Sequence, residues 1–135
     1  VTDLMNKRII TFGTFDVFHV GHVNILERAK AEGEYLIVGV SSDQLNLDKK
    51  NRYPIYSQEQ RIKILESLKF VDEVFLEESL EKKPDYILHY KADMLIMGDD
   101  WVGKFDSLKM ICDVKYLKRT PSISTTEIIE VVKML

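Results

Sequence analysis

The sequence predicts a single α/β domain with a doubly wound, Rossmann-like fold, in which helices cover both faces of a five-stranded parallel sheet. Two observations lead to this fold class. Short runs rich in branched apolar residues alternate along the chain with segments whose apolar residues recur at helical spacing. The strand runs are apolar at successive positions, which is typical of parallel strands buried on both faces. A chain of 135 residues, 45% of them hydrophobic, is long enough to bury one such core.

The first β-α-β unit opens the domain. A buried strand is predicted over residues 8–12, just before Gly13, and a second strand over residues 35–40. The helix between them is indicated by helical spacing and by Gly33, a frequent helix stop. Its apolar positions are Val23, Ile25, Leu26 and Ala29. The lysine-rich stretch at residues 49–52 is predicted to be a solvated loop.

The remaining elements continue the alternation. Three more strands are predicted over residues 72–76, 94–98 and 114–117. A helix over residues 57–68 begins with a capping box of Ser57 and Gln60. The pattern over residues 80–90 is also helical, and Pro84 places the true start of that helix nearby.

Composition excludes several classes of protein. The net charge of −3 argues against bulk binding of nucleic acid. No apolar run approaches the ~20 residues of a membrane span and no signal-peptide pattern opens the chain, so a cytoplasmic protein without membrane insertion is expected. The single cysteine, Cys112, excludes an intramolecular disulfide framework and a cysteine-based zinc site. Residues 1–6 are expected to be an N-terminal extension to a domain of residues 7–135.

Ligands of a doubly wound sheet bind beyond the carboxyl ends of the strands, so the residues after each strand carry the candidate chemistry. After the first strand come Gly-Thr-Phe-Asp at residues 13–16 and then His19 and His22, which share one side of a helical turn. A helix N-terminus offers free N–H groups to a phosphate, and Gly21 would let a phosphate approach the backbone. The histidines would also fit an ordinary helix start, or a metal pair that lacks a matching third ligand.

Two later strand ends also carry polar groups. Asp99 and Asp100 follow the fourth strand beside the only tryptophan, Trp101. Such adjacent carboxylates bind a divalent ion or hydroxyl groups, or form a solvated turn. After the fifth strand, residues 118–126 place basic side chains before the hydroxyl-rich start of the last helix. There Ser124 and the glutamate three residues later form a second capping box.

The candidate groups converge on one edge of the sheet. Arg61 lies one turn into its helix and is expected at the same end as the lysine-rich stretch. Two helix N-termini, two histidines, up to five cations and a carboxylate pair would then face a common ligand. This arrangement favours binding of a strongly anionic ligand, even though the chain is acidic overall.

These residues resemble the signatures of a known superfamily. The His-Val-Gly-His pattern at residues 19–22 and the Ile-Ser-Thr-Thr pattern at residues 123–126 resemble the nucleotidyltransferases of the H-x-G-H type. Within them the chain resembles the glycerol-3-phosphate cytidylyltransferases from about residue 7 to its end. The further similarities are at Arg61 and residues 13–16, 98–101, 103–106 and 119–126. The chain departs from that family at Val20, where tryptophan is frequent, and by about one extra residue within 48–53.

The resemblance implies the H-x-G-H nucleotidyltransferase fold and transfer of CMP from CTP to sn-glycerol 3-phosphate, which gives CDP-glycerol and pyrophosphate. The acceptor phosphate would attack the α-phosphorus in line, without a covalent enzyme intermediate. Mg²⁺ is expected on the triphosphate oxygens, and no organic cofactor is expected. Asp16 and Asp99 would bind hydroxyls or help to organise the Mg²⁺. A homodimer is expected, and the product would feed teichoic acid or another surface polymer.

The resemblance also implies the catalytic roles. His19 and His22 would donate hydrogen bonds to the α- and β-phosphate oxygens as charge builds in the transition state. Arg119 would pair with the phosphates of the nucleotide. Lys49 would close over the phosphates from its loop.

The binding roles follow in the same way. Ser124 and Thr125 would hold the β- and γ-phosphates, Arg61 would support the acceptor phosphate or the triphosphate, and Trp101 would shape the glycerol end of the site. The expected nucleotide-binding set is completed by Thr14, Phe15, Gly21, Thr120 and Ile123.

Two alternatives stay open from the sequence. The same fold and histidines would serve transfer to another acceptor, such as ethanolamine phosphate, a polyol or sugar phosphate, or a flavin phosphate. A non-catalytic nucleotide-sensing module would show a damaged motif, and none is damaged. The homodimer has independent support from Phe70 and Phe75, because these apolar residues around a short strand exceed what one small domain needs.

Overall fold

The computed structural model describes residues 6–121 and 123–135, so residues 1–5 of the expected N-terminal extension and Ser122 lie outside the described part. Five strands form, namely β1 (Arg8–Gly13), β2 (Tyr35–Ser41), β3 (Glu73–Glu77), β4 (Met94–Gly98) and β5 (Asp113–Leu117). They make one sheet in the order β3-β2-β1-β4-β5, and each neighbouring pair is parallel. The predicted fold class is confirmed.

Helices connect these strands, as the alternation predicts. They are α1 (Val20–Lys30), α2 (Asp43–Lys50), α3 (Gln58–Glu66), α4 (Lys83–His89) and α5 (Thr125–Lys133). Short 3₁₀ turns lie at Leu80–Lys82, Asp99–Trp101 and Asp106–Met110. Within residues 6–121 and 123–135, no helix combines the length and the apolar content that a membrane crossing requires.

The core consists of two apolar clusters on opposite faces of the sheet. Successive residues of β1, Ile9 and Ile10, belong to different clusters, because side chains alternate between the faces of a strand. Leu26 of α1 and Leu65 of α3 cover one face, whereas Ile87 of α4 covers the other. All five side chains are almost completely buried. The sheet is therefore apolar on both sides, which explains why its strands read as continuous apolar runs.

Strand order locates the crevice of the fold. The chain runs from β1 outward through β2 to β3, and then returns to place β4 on the other side of β1. The loops that leave β1 and β4 therefore turn toward opposite faces, and a crevice opens between them at the carboxyl ends of these strands. The residues that the sequence places after the strands meet at this edge.

One helix is absent from the sequence prediction. Residues 49–52 were expected in a solvated loop, but Lys49 and Lys50 form the last turn of α2, which ends at Asn51 in a left-handed conformation with φ 59°. Ser42 caps this helix by accepting a hydrogen bond from the backbone N–H of Leu45. The prediction failed because α2 has eight residues and buries only Leu45 and Asn46, so it shows no apolar periodicity.

The two phenylalanines expected at a dimer surface pack within the chain. The ring of Phe75 stacks on Tyr90 with centroids 4.3 Å apart and meets Phe12 edge-on at 5.8 Å. Phe70 packs against the cluster that contains Leu65. The segment around β3 therefore gives the expected homodimer no support, because its aromatic side chains already have partners in one domain.

Candidate active site

A cavity of about 500 Å³ opens at the carboxyl ends of the strands, where the crevice was expected. Its wall combines the loop after β1, the end of α2, the loops after β3 and β4, and the start of α5. Thirteen residues expected from the sequence line it: Thr14, Phe15, Asp16, His19, Gly21, His22, Lys49, Trp101, Arg119, Thr120, Ile123, Ser124 and Thr125. Arg61 and Asp99 lie elsewhere.

The two histidines cap helix α1 and fix each other. Nδ1 of His19 accepts a hydrogen bond from the backbone N–H of Gly21 at 3.0 Å, and Nδ1 of His22 accepts one from the N–H of His19 at 3.2 Å. The two rings stack with centroids 3.8 Å apart. Because each Nδ1 is an acceptor, the proton of each neutral ring resides on Nε2. Each ring thus brings one Nε2–H donor to the cavity.

Both histidines are neutral at pH 7. Burial lowers the pKa of His19, and burial together with the adjacent His19 lowers the pKa of His22 to about 4, against a weaker opposing effect of Asp16. The rings of Phe15 and Phe18 pack around His22, with centroids 5.4 and 5.2 Å from its own. The site therefore presents polarised N–H donors rather than fixed imidazolium charges.

Glycine at position 21 is required by the histidine pair. A Cβ atom at Gly21 would lie 2.8 Å from Cε1 and 2.9 Å from Nδ1 of His19, and 3.3 Å from a methyl group of Ile123. The sequence suggested that Gly21 leaves room for a phosphate. The structure fills that room with the imidazole of His19, which needs it in order to reach its capping bond.

Asp16 organises the loops around the cavity. Its carboxylate accepts three backbone hydrogen bonds, from the N–H groups of Val17, Ile55 and Tyr56, at 2.7 to 3.0 Å. Its own carbonyl accepts the hydroxyl of Thr125 at 2.8 Å. Asp16 therefore ties the loop after β1 to the segment before α3 and to the start of α5.

The backbone on either side of Asp16 is strained. Phe15 and Val17 have φ of 55° and 46°, a left-handed conformation that is unusual for non-glycine residues and is especially unfavourable for a β-branched one. Such strain persists only where the surroundings enforce it, and it clusters at functional sites. The bonds of Asp16 supply that enforcement here.

A protein-bound divalent metal does not fit this site. Among residues 6–121 and 123–135, no three or more His, Cys, Asp or Glu side chains group closely enough to hold a metal ion. Asp16, the candidate ligand from the sequence, commits its carboxylate to backbone N–H groups.

Arg61 differs from its expected place at the phosphates. It is completely buried and donates to the carbonyls of Thr14, Ser41 and Tyr56 at 2.8 to 3.0 Å, and it pairs with Asp43 at 2.7 Å. We correct the expectation: Arg61 holds the ends of β1 and β2 and the loop before α3 together beneath the cavity. Its burial, which a sequence does not display, decides this role.

The loop after β4 brings a different aspartate to the cavity from the one that the sequence predicted. Asp100, not Asp99, lines the cavity next to Trp101. Asp99 turns its carbonyl to the backbone N–H of Val102 in a 3₁₀ turn. Trp101 packs against Phe105, with centroids 5.6 Å apart, and Lys104 lies over the indole ring at 5.4 Å. The tight turn explains why the second aspartate faces the ligand space.

The last helix brings hydroxyl groups and backbone donors to the opposite wall. Ser124 caps α5, because its hydroxyl accepts a hydrogen bond from the backbone N–H of Glu127 at 3.1 Å, as the predicted capping box requires. Within residues 6–121 and 123–135, the Glu127 side chain does not accept the reciprocal bond from the Ser124 N–H. Thr125 was expected to hold phosphates beside Ser124, but its hydroxyl donates to the carbonyl of Asp16 instead. A ligand would therefore meet the hydroxyl proton of Ser124 and the first N–H groups of α5. Thr120 accepts a hydrogen bond from Asn24 at 3.1 Å.

The cavity also contains a buried ion pair that the sequence reading missed. Lys83 and Glu77 both line the cavity, with Nζ 2.5 Å from the carboxylate of Glu77. The ammonium group lies 4.6 Å from the ring centroid of Phe12. The sequence did contain a signal for these two residues, because candidate site residues were sought after strand ends. Glu77 is the last residue of β3, and Lys83 is the first residue of α4, next to Pro84.

Positive charge dominates the cavity. Its cations are Lys49, Lys50, Arg52, Lys83 and Arg119, and its carboxylates are Asp16, Glu77 and Asp100. Two of these carboxylates are already engaged, Asp16 with backbone N–H groups and Glu77 with Lys83. With the N-terminus of α5 and two imidazole donors, the cavity can bind a polyphosphate and stabilise charge that develops on it.

Comparisons with known proteins agree with this chemistry. Residues 10–131 match the model of the family described as cytidylyltransferase-like. The chain is 50% identical over 124 residues to a Bacillus subtilis protein named glycerol-3-phosphate cytidylyltransferase. The aligned region covers 92% of this chain and 95% of the Bacillus protein. It is 47% identical over 122 residues to the Staphylococcus aureus protein of the same name, and that alignment covers 90% of this chain and 92% of the Staphylococcus protein.

A solved structure supports the fold. The lipopolysaccharide core biosynthesis protein of Thermoplasma volcanium superposes with a TM-score of 0.72, over 84% of this chain and 98% of that one, at 23% identity. At that identity the likeness shows the fold alone, that is, the arrangement of the sheet and helices.

Proposed function

Because the chain belongs to the cytidylyltransferase-like family, we propose that it transfers CMP from CTP to sn-glycerol 3-phosphate and releases CDP-glycerol and pyrophosphate. The observation that carries this proposal is the 50% identity to a glycerol-3-phosphate cytidylyltransferase over nearly the whole of both chains. The cavity supports it, because a nucleoside triphosphate and a phosphate monoester need the concentrated positive charge and N–H donors found there.

The acceptor phosphate serves as the nucleophile. A phosphate monoester is largely dianionic near neutral pH, since its second pKa is about 6, so no strong base is required to activate it. One of its oxygens attacks the α-phosphorus of CTP, the bond to the bridging oxygen breaks, and pyrophosphate leaves with that electron pair. The enzyme's contribution is then positioning and charge stabilisation, as in phosphoryl transfer generally.

His19 and His22 stabilise the developing charge. Each neutral ring donates through Nε2, and the backbone N–H groups that bind Nδ1 hold both rings in place before substrate arrives. Preorganised donors of this kind need little rearrangement at the moment of reaction. We assign them to the oxygens of the α- and β-phosphates.

The two ends of the cavity take the two substrates. The hydroxyl of Ser124, the first N–H groups of α5 and the guanidinium of Arg119 receive the β- and γ-phosphates of the nucleotide. Lys49 and Lys83, which flank the ends of β2 and β3, neutralise the acceptor phosphate.

Magnesium enters as part of the nucleotide substrate. The ion would be held by triphosphate oxygens and water, since the carboxylate of Asp16, the candidate protein ligand, is committed to backbone N–H groups. Bound in this way, Mg²⁺ would offset triphosphate charge that the cations of the cavity offset only in part.

The proposal is tested by pyrophosphate release from CTP in the presence of different acceptors. We expect turnover with sn-glycerol 3-phosphate and at least tenfold lower kcat/KM with ethanolamine phosphate, polyol or sugar phosphates and flavin phosphate. A faster reaction with another acceptor would replace glycerol 3-phosphate as the substrate. CTP binding without turnover on any acceptor would indicate a nucleotide-sensing module instead.

We also propose a homodimer in the cytoplasm, where CTP is available. The support for the dimer is the exposed apolar surface at the end of α5, where Val131 and Val132 are each 60% exposed and Met134, the residue that follows the helix, is 84% exposed. Apolar patches of this kind mark contact surfaces, and two-fold dimers are their commonest form. Sedimentation should give twice the 15.7 kDa of one chain.

A matched pair of variants tests the dimer surface. Val132→Glu places a charge in the α5 patch and should yield monomers. Met110→Glu changes an apolar side chain that is 91% exposed elsewhere on the domain and should leave the mass unchanged. A wild-type mass equal to one chain contradicts the dimer but not the reaction, because every residue assigned to the reaction belongs to one chain.

A further inference from the structure

Glu77 connects two cationic side chains of the cavity. Its carboxylate is 1% exposed and accepts a hydrogen bond from Nζ of Lys83 at 2.5 Å. Its other oxygen lies 3.5 Å from the hydroxyl of Ser41, which itself accepts a hydrogen bond from Nζ of Lys49 at 3.1 Å. A single carboxylate at the end of β3 thus links an ammonium group on α4 with one on α2.

We propose that Glu77 is a positioning residue for the acceptor substrate: it holds Lys83 directly and Lys49 through Ser41, and so fixes where the phosphate of the acceptor binds. The inference rests on the proposed transfer reaction and deepens it, because it names the group that sets the geometry of the acceptor end. Glu77 acts through the two lysines and does not itself contact the reacting atoms.

A purely structural ion pair is a weaker account of this arrangement. Removing two charges from water is costly, and apolar residues of similar size often stabilise a fold equally well or better. A carboxylate near a phosphate also repels it. A buried carboxylate beside an anion-binding cavity is therefore expected only if the geometry that it imposes on its cations outweighs that repulsion.

The electrostatics of Lys49 agree with this role. Burial lowers the pKa of Lys49, and the neighbouring Lys50, Lys83 and Arg61 lower it further, whereas the charge of Glu77 raises it. Glu77 is thus the neighbour that helps to keep Lys49 protonated. Its loss would release Lys83 from a fixed position and would also favour the uncharged form of Lys49.

The substitution Glu77→Gln tests the inference, because glutamine keeps the size of the side chain and removes its charge. Pyrophosphate release is measured with sn-glycerol 3-phosphate varied at saturating CTP and with CTP varied at saturating acceptor. We expect KM for glycerol 3-phosphate to rise at least tenfold and KM for CTP to stay within twofold. The exposed neighbour supplies the control, and Glu78→Gln should leave both constants within twofold of wild type.

A second variant keeps the inference testable if Glu77→Gln does not fold. Ser41→Ala removes only the link to Lys49 and should raise KM for glycerol 3-phosphate about threefold, again with little change for CTP. An unchanged or lowered KM for the acceptor, or equal rises for both substrates, would overturn the inference while wild-type turnover upholds the reaction. Wild-type protein that releases no pyrophosphate with glycerol 3-phosphate would overturn both.

Discussion

Protonation of His22 links the pH of the solution to the stability of the fold. The pKa of His22 is lowered to about 4 in the folded chain, mainly by burial, whereas an unfolded histidine titrates near 6.5. Between these values the unfolded chain binds a proton that the folded chain does not. His22 therefore contributes stability that is fully present above pH 6.5 and is lost progressively as the pH falls toward 4.

The expected loss is large for one residue. One pKa unit of difference between folded and unfolded states is worth about 1.4 kcal/mol, so the separation between 6.5 and about 4 corresponds to roughly 3 kcal/mol. Small domains have a free energy of unfolding of about 5–15 kcal/mol. Protonation of this ring alone would thus remove a substantial part of the total.

Urea unfolding at a series of pH values between 7 and 4 measures the effect. The substitution His22→Asn keeps an acceptor for the N–H of His19 but cannot titrate, so its free energy of unfolding should fall by about 3 kcal/mol less than that of wild type over this range. His89→Asn removes an exposed histidine and should follow wild type. Parallel curves for wild type and His22→Asn would refute the reasoning.

Four further predictions concern the site. His19→Ala and His22→Ala should each lower kcat by about 10²–10³ with far-UV circular dichroism unchanged, because each removes a preorganised donor, and near-normal kcat in either would contradict its role. Gly21→Ala should lower kcat with little change in KM for CTP, because its Cβ displaces the ring of His19; equal activity would show that the ring need not stay in place. Arg61→Met should lower the free energy of unfolding by ~3–5 kcal/mol in urea titrations, since it leaves three carbonyls and Asp43 without their partner, and a loss below 1 kcal/mol would argue against its bracing role. Chelation should abolish turnover and added Mg²⁺ should restore it, whereas full activity in excess chelator would exclude a metal-dependent reaction.

Much of the fold was predictable because local signals and packing agree. The strand Met94–Gly98 has the predicted bounds, and the capping box of Ser57 and Gln60 forms at the start of α3. The first helix begins at Val20, with His19 as its cap, as expected from the histidine pair that opens it. Helix α2 escaped detection, since a short helix that buries an asparagine has almost no apolar pattern to read.

The site was predictable where a residue's position in the chain determines its place, and not where burial does. His19, His22 and Ser124 lie at the starts of helices that follow strands, and in a parallel α/β fold such helix starts lie at the carboxyl edge of the sheet. Arg61 also lies near the start of a helix, but its side chain is buried beneath that edge, where it donates to the carbonyls of Thr14 and Ser41. A sequence does not show which backbone carbonyls need a donor. Glu77 and Lys83 form their pair between two elements, and only the fold brings them together.

The anchoring of α5 has a consequence for hydrogen exchange. No side chain of this helix is fully buried, and Thr125 joins it to the loop after β1 through one hydrogen bond to Asp16. A segment with so little buried area opens by local unfolding more readily than the sheet does, and one wall of the cavity opens with it. Nucleotide bound at Ser124 and the first N–H groups of α5 must leave before or during that opening. Its presence should therefore slow amide exchange in α5 by the factor 1 + [CTP]/Kd. Amides of the central strands exchange only when the whole domain unfolds, which also requires the nucleotide to leave, so they should slow by the same factor and stay slower than those of α5.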